Sequence, residues 1–113
     1  MPKYCETLDG VFHALSSPVR RDVIEMLGRQ EATLTDLGRH FDMAQPSLLQ
    51  HLRVLEEAGL VTSTKVGRSR TYALRGKSLI DAEHWMDARR REWEERTDRL
   101  EAVVMMLKAE ETQ

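Results

Sequence analysis

A single cysteine, Cys5, stands in the 113 residues, so no disulfide can close within the chain, which suits a reducing compartment. No apolar run approaches the roughly 20 residues that span a bilayer, and the opening MPKYCETLD lacks the apolar centre of a secretory leader. These absences predict a cytoplasmic protein with no membrane partner. There is no glycine-rich phosphate loop, no coherent set of metal ligands and no nucleophile with a matched base, so the sequence predicts neither an enzyme nor a cofactor. An overall excess of positive charge is missing too: the net charge is −2.

The distribution of charge says more than its sum. Between Ala44 and Lys77, six basic residues face two acidic ones, a surplus of four positive charges. From Ser78 to the end, six basic residues meet ten acidic ones, and from Met1 to Met43 five meet seven. A basic centre between acidic ends fits one nucleic-acid face on a protein kept soluble by the rest, although charge runs are also common on plain solvated surfaces. The length predicts one domain over residues 1–113, small enough that a dimer would help it bury apolar surface.

The stretch Ala44–Val61 has a helix with two unlike sides. At 100° per residue, Leu48, Leu52 and Leu55 fall in one stripe, whereas Pro46, Leu49, Gln50 and Arg53 fall opposite. Pro46 suits a first turn, and Gly59 ahead of the β-branched Val61-Thr62 predicts a left-handed cap followed by a strand. Upstream, Leu8, Val11, Phe12 and Leu15 predict a short first helix from about Asp9 to Leu15 with one apolar side that needs a partner. Ser17 and Pro18 then cap and start a second helix that turns Val19, Val23, Met26 and Leu27 inward. Arg20 and Arg21 near its start could be solvated, pair with Asp22 and Glu25, or meet phosphate. Thr33-Leu34-Thr35-Asp36 has the form of a capping box and opens a short third helix with Leu34, Leu37 and Phe41 inward. The tight connection Asp42-Met43-Ala44 joins it to the next helix, which makes a helix-turn-helix, with Ala44 a poor cap.

Leu60–Lys65 and Arg70–Leu74 are strand-like runs joined through Val66–Ser69, a hairpin with a basic tip. After a helix-turn-helix such a hairpin reads as a wing. Arg68 could enter a minor groove or lie on phosphate, with Lys65 and Arg70 flanking the backbone, although exposed edges also carry Lys and Arg simply to block pairing. From Ser78 onward glycine and proline are absent, and Met86, Trp93, Leu100 and Leu107 recur every seven residues, with Leu79, Trp85, Val103 and Val104 beside them. This predicts a long helix over 78–110 after a core of 8–77, its seam paired most simply with a second copy and joined by the apolar side of the first helix. Leu8, Phe12, Trp85, Met86, Trp93, Leu100 and Leu107 are the candidate dimer residues. The fold class is therefore mainly α with a small β-hairpin: a winged helix-turn-helix.

The segments ALSSPVRRDVIEML, TLTDLGRHFDMAQPSLLQHLRVLEEAGLV and GRSRTYAL, in that order and spacing, resemble the ArsR/SmtB-type winged-helix repressors of bacteria over roughly Leu8 to Leu74. The tail is similar to that of a subgroup with a tryptophan-bearing terminal dimer helix. The resemblance implies a homodimer that binds an imperfect inverted repeat in double-stranded promoter DNA and blocks transcription. The family's thiolate metal site would need cysteines where this chain has Thr33 and Thr35, and hydroxyls do not replace soft thiolates. Its terminal-helix site finds Asp81 and His84 here but no second histidine downstream, so no metal is expected.

On this reading Gln45 and Gln50 meet adenine edges, Leu49 a thymine methyl and Arg53 phosphate, while Thr35 and Ser47 hydrogen-bond phosphates. His51 is expected to be a structural hydrogen-bonding residue; His13 and His40 show no ligand spacing. Cys5 is either inert or an oxidisable sensor thiol. Two other readings remain open: a protein-interaction module, suggested by the acidic tail, and a metal- or redox-responsive sensor of the same fold. No effector is legible.

Overall fold

Residues 3–111 are described by the computed structural model, with side chains from Leu8 onward. The chain runs through α1 (Lys3–Ala14), α2 (Pro18–Arg29), β1 (Ala32–Thr33), α3 (Leu34–His40), α4 (Gln45–Glu57), β2 (Val61–Val66), β3 (Ser69–Leu74) and α5 (Lys77–Glu111). The mainly helical class with a hairpin wing holds. Two details differ from the sequence expectation. α1 starts at Lys3 rather than near Asp9, because its polar first turns carry no apolar periodicity to announce them. A third strand, β1, pairs antiparallel with β3 through Ala32 opposite Tyr72 and Thr33 opposite Thr71, giving a sheet of order β1-β3-β2.

The chain divides into two units, one ending at Ala82 and the other beginning at Glu83. The core of the first gathers Val11 and Ala14 of α1, Val23 and Leu27 of α2, Leu37 of α3, Leu48, Leu52 and Leu55 of α4, and Leu60, Val61 and Tyr72 around the hairpin, with Ala82 of α5. Each helix contributes the stripe its 3.6-residue period dictates, and burying these side chains supplies most of the favourable free energy of folding. Leu8, Leu34, Phe41 and Leu79 pack against this cluster partly buried.

Chain reversals are set locally. Ser17 accepts the Arg20 N–H ahead of Pro18, which occupies the first helical position. After α4, Gly59 takes φ +76°. Its N–H donates to Glu56 O and the Leu60 N–H to Leu55 O, both at 3.0 Å, the paired bonds of a left-handed glycine cap. At the wing tip Val66 pairs with Ser69, leaving Gly67-Arg68 as a two-residue turn. Positive φ falls on Gly67 alone, which marks the turn type that needs glycine first and matches strand twist.

Candidate nucleic-acid interface

The helix-turn-helix is α3 and α4. Thr33 Oγ1 accepts the Asp36 N–H at 3.1 Å and Asp36 Oδ2 accepts the Thr33 N–H at 3.3 Å, so both ends of the expected capping box are made. Ala44 gives α4 no side-chain cap, also as expected. Leu48, Leu52 and Leu55 are buried, while Gln45, Ser47, Gln50 and Arg53 are exposed. Leu49 departs from its expected place: it is half-buried rather than fully outward. Thr35 is exposed on α3. A cavity of about 360 Å³ between the two helices brings Thr35 and Gln45 together, lined also by Gly38, Arg39, Met43 and the apolar Leu34 and Leu48.

Arg20 is the one buried charge among the described residues, 9% exposed. Its Nε donates to Ala14 O at 2.7 Å and its Nη2 to His13 O at 3.2 Å, and its Nη1 lies 3.0 Å from His51 Nδ1 on α4. Arg21 Nη1 donates to Leu15 O at 2.7 Å. Both arginines thus satisfy carbonyls at the end of α1, where orphan acceptors and the helix dipole favour a cation. A phosphate role for Arg20, one of the options its sequence position left open, is displaced by this structural one.

His51 is the structural hydrogen-bonding residue expected. Because a guanidinium only donates, Nδ1 must accept, and the imidazole is neutral with its proton on Nε2. Burial, and then the Arg20 charge, holds its pKa below the ordinary 6.5. The pair ties α4 to the end of α1 across a sequence separation of 31, which hides it from any local sequence pattern.

In the wing, Lys65, Arg68 and Arg70 are all exposed. Lys65 pairs directly with Arg70, so their side chains share a face. Arg70 Nη1 donates to Ser63 Oγ at 2.8 Å across the hairpin. Tyr72, buried in the central strand, feels both reading helix and wing: burial first and then Glu56 push its phenol pKa up, with Arg70 opposing. The wing is packed on the core at its base through Tyr72 and is basic at its tip.

In the second unit, Arg89 forms a two-pronged pair with Glu92 and lies 5.4 Å from the Trp85 ring centre. Asp87 pairs with Arg90 and Arg91. Of the candidate dimer residues, Phe12 and Trp85 are each 37% exposed and Trp93 65%. Met86, Leu100 and Leu107 are also exposed, whereas Leu8 already packs against its own core. The Cys5 side chain lies outside the described residues. Thr33, at one expected thiolate position, is committed to capping α3, and no group of three or more potential metal-ligating side chains occurs among the described residues. No described helix is long and apolar enough to cross a membrane.

A helix-turn-helix followed by a basic two-stranded wing defines a winged-helix DNA-binding protein. Comparison with known proteins narrows the class. A family model described as a helix-turn-helix domain matches residues 15–64. The chain is 32% identical over 79 residues to the transcriptional repressor SdpR of Bacillus subtilis, covering 70% of this chain and 88% of that one. It is 33% identical over 72 residues to an arsenical resistance operon repressor of Staphylococcus xylosus, covering 64% and 69%. A crystal structure of an ArsR family transcriptional regulator superposes with a TM-score of 0.77 at 39% identity, covering 83% of this chain and 97% of that one. An ArsR-like regulator from Rhodococcus superposes with a TM-score of 0.77 at 28% identity, covering 88% and 91%. The chain belongs to the ArsR family of DNA-binding transcriptional regulators, which is not a family of enzymes.

Proposed function

We propose that the protein is a homodimeric repressor that binds an inverted-repeat operator, each subunit placing α4 in the major groove and its wing over the adjacent backbone. The observation that carries this is the exposed polar set on α4: Gln45 and Ser47 in its first turn, with Gln50 and Arg53 on the side opposite its buried leucine stripe. Gln45 and Gln50 each offer the paired donor and acceptor that match adenine, and Leu49, half-buried, offers an edge to a thymine methyl. Arg53, Thr35 and Ser47 supply phosphate contacts that fix register without reading sequence. Lys65 and Arg70 extend those contacts along the wing, and Arg68 at its tip reaches the minor groove. Dimerisation through α5, with help from Phe12, accounts for the seam of Trp93, Leu100 and Leu107, apolar side chains exposed in the single chain.

Selection of bound duplexes from a random DNA library, with sedimentation at the same protein concentrations, tests this reading. An enriched inverted repeat with half-sites about 34 Å apart, bound by a dimer, is the expected outcome. Gln50→Ala should change the preferred bases, whereas Arg68→Ala should weaken binding broadly and lower its salt dependence. An enriched single half-site bound by monomers would overturn the dimeric mode, and no enriched motif would overturn sequence-specific repression.

A further inference from the structure

We propose that Arg39 is a further DNA contact, its guanidinium holding a backbone phosphate at the mouth of the α3–α4 cleft; the inference rests on the operator-binding reading above. Arg39 lies one turn after Thr35 on α3, so the two side chains share a face of that helix, and both line the cleft with Gln45 of α4. The cleft therefore joins the proposed phosphate ligand Thr35 and the proposed base reader Gln45 to an arginine with no other part in operator binding.

Among the described residues nothing engages the Arg39 side chain by hydrogen bond or ion pair, which is equally true of Arg29, Arg53, Arg68, Arg75, Arg96 and Arg99; what sets Arg39 apart from them is its place in the cleft beside Thr35 and Gln45. Arg20 is bound to Ala14 O and Arg21 to Leu15 O at the end of α1, Arg70 to Ser63, and Arg89, Arg90 and Arg91 to carboxylates. Arg39 is exposed and has no hydrogen bond or ion pair among the described residues. Asp36, one turn back, directs its carboxylate to the Thr33 N–H instead. An arginine beside apolar Leu34 and Met43 can lay its stem along them and keep a rigid donor fork at the rim. That fork matches two oxygens of one phosphate. The occupant is phosphate rather than a base edge because Arg39 belongs to the first helix of the motif, which crosses the backbone while the second enters the groove.

The test compares Arg39→Gln, Arg39→Lys and the unsubstituted protein on one selected operator over a salt series, with base preference measured for each. Arg39→Gln should weaken binding about tenfold, as for loss of a charge-assisted hydrogen bond. It should flatten the slope of log affinity against log salt by about 0.9 per subunit and leave the preferred bases unchanged. Arg39→Lys should keep the slope and lose only part of the affinity. An unchanged slope in Arg39→Gln, or a changed base preference, overturns the phosphate assignment while leaving operator binding intact. Failure of the unsubstituted protein to bind any duplex overturns the parent reading, and this one with it.

Discussion

The two units of this chain treat their apolar side chains in opposite ways. Up to Ala82, leucines and valines from four helices and the hairpin meet one another, and the largest of them lie wholly out of solvent. From Glu83 on, no described side chain is buried, and Trp93, Leu100, Val103, Val104 and Leu107 stand on a single helix surrounded by charged neighbours. Apolar residues held at seven-residue spacing in a helix this polar are the ones the proposed homodimer would cover. The first unit carries its own core, and the second carries the apolar seam on which that proposal rests. Substitutions of equal size should separate these roles cleanly.

Leu52→Ala is the largest expected effect. Leu52 is wholly buried between the reading helix and its supports, and its truncation should cost about 2–5 kcal/mol through lost burial and a cavity. A denaturant titration would show a lower midpoint with little change in slope. Arg20→Met follows, at about 2–3 kcal/mol. It removes donors from Ala14 O and His13 O and the partner of His51, leaving acceptors short of bonds in a partly dry place. Because α4 loses its tie to α1, operator affinity should fall with stability, whereas Arg20→Lys should restore little of either, since donors on one ammonium nitrogen do not span acceptors that the guanidinium meets from three separate nitrogens.

Trp93→Ser should do the reverse. With the indole 65% exposed in the single chain, the stability of the first unit should stay within about 0.5 kcal/mol. Self-association measured by sedimentation should weaken by roughly tenfold or more, as when an aromatic anchor leaves an interface. A Trp93→Ser protein that unfolds like Leu52→Ala, yet sediments unchanged, would erase the contrast between the units.

Acid should act on the first unit through His51. Its folded pKa is lowered from 6.5, so between the folded value and 6.5 the unfolded chain binds more protons than the folded one. Stability from this group is therefore fully present above about pH 6.5. It declines as pH falls toward the folded value and changes no further below it. His51→Gln, whose carbonyl can still accept from Arg20, should remove that part of the pH slope in melts recorded between pH 7.5 and about 5.

These contrasts also show which parts of the molecule can be read from sequence. The stripe of Leu48, Leu52 and Leu55, the Thr33–Asp36 box and the Gly59 stop are local patterns whose physics acts within a few residues, and each formed as expected. The hairpin was legible for the same reason. β1 was not: two residues are too short to alternate, and Thr33 serves at once as strand end and helix cap. The role of Arg20 depends on His51 arriving from 31 positions away, and only the tertiary fold brings them together. Leu49 lies near the edge of its helix's buried stripe, where periodicity assigns a side poorly and neighbouring elements decide burial. Arg39 could have been marked by its spacing from Thr35, but only the cleft between α3 and α4 shows the two beside Gln45.

The smallest expected effect concerns that cleft and runs opposite to most substitutions. Gly38 sits inside α3, and a Cβ added there meets nothing within 4 Å. Its φ is not positive, so neither backbone conformation nor crowding demands glycine. Gly38→Ala should therefore stabilise the fold by about 0.5–1 kcal/mol, the usual difference between these residues in a helix interior, by restricting the unfolded chain. A methyl group projecting into open space leaves the guanidinium of Arg39 free to move as before, so operator affinity should hold while the melting temperature rises. If affinity instead fell as the fold gained stability, the bare backbone at Gly38 would itself be part of the DNA surface, and the cleft would have to accept the operator more deeply than a phosphate at its mouth requires.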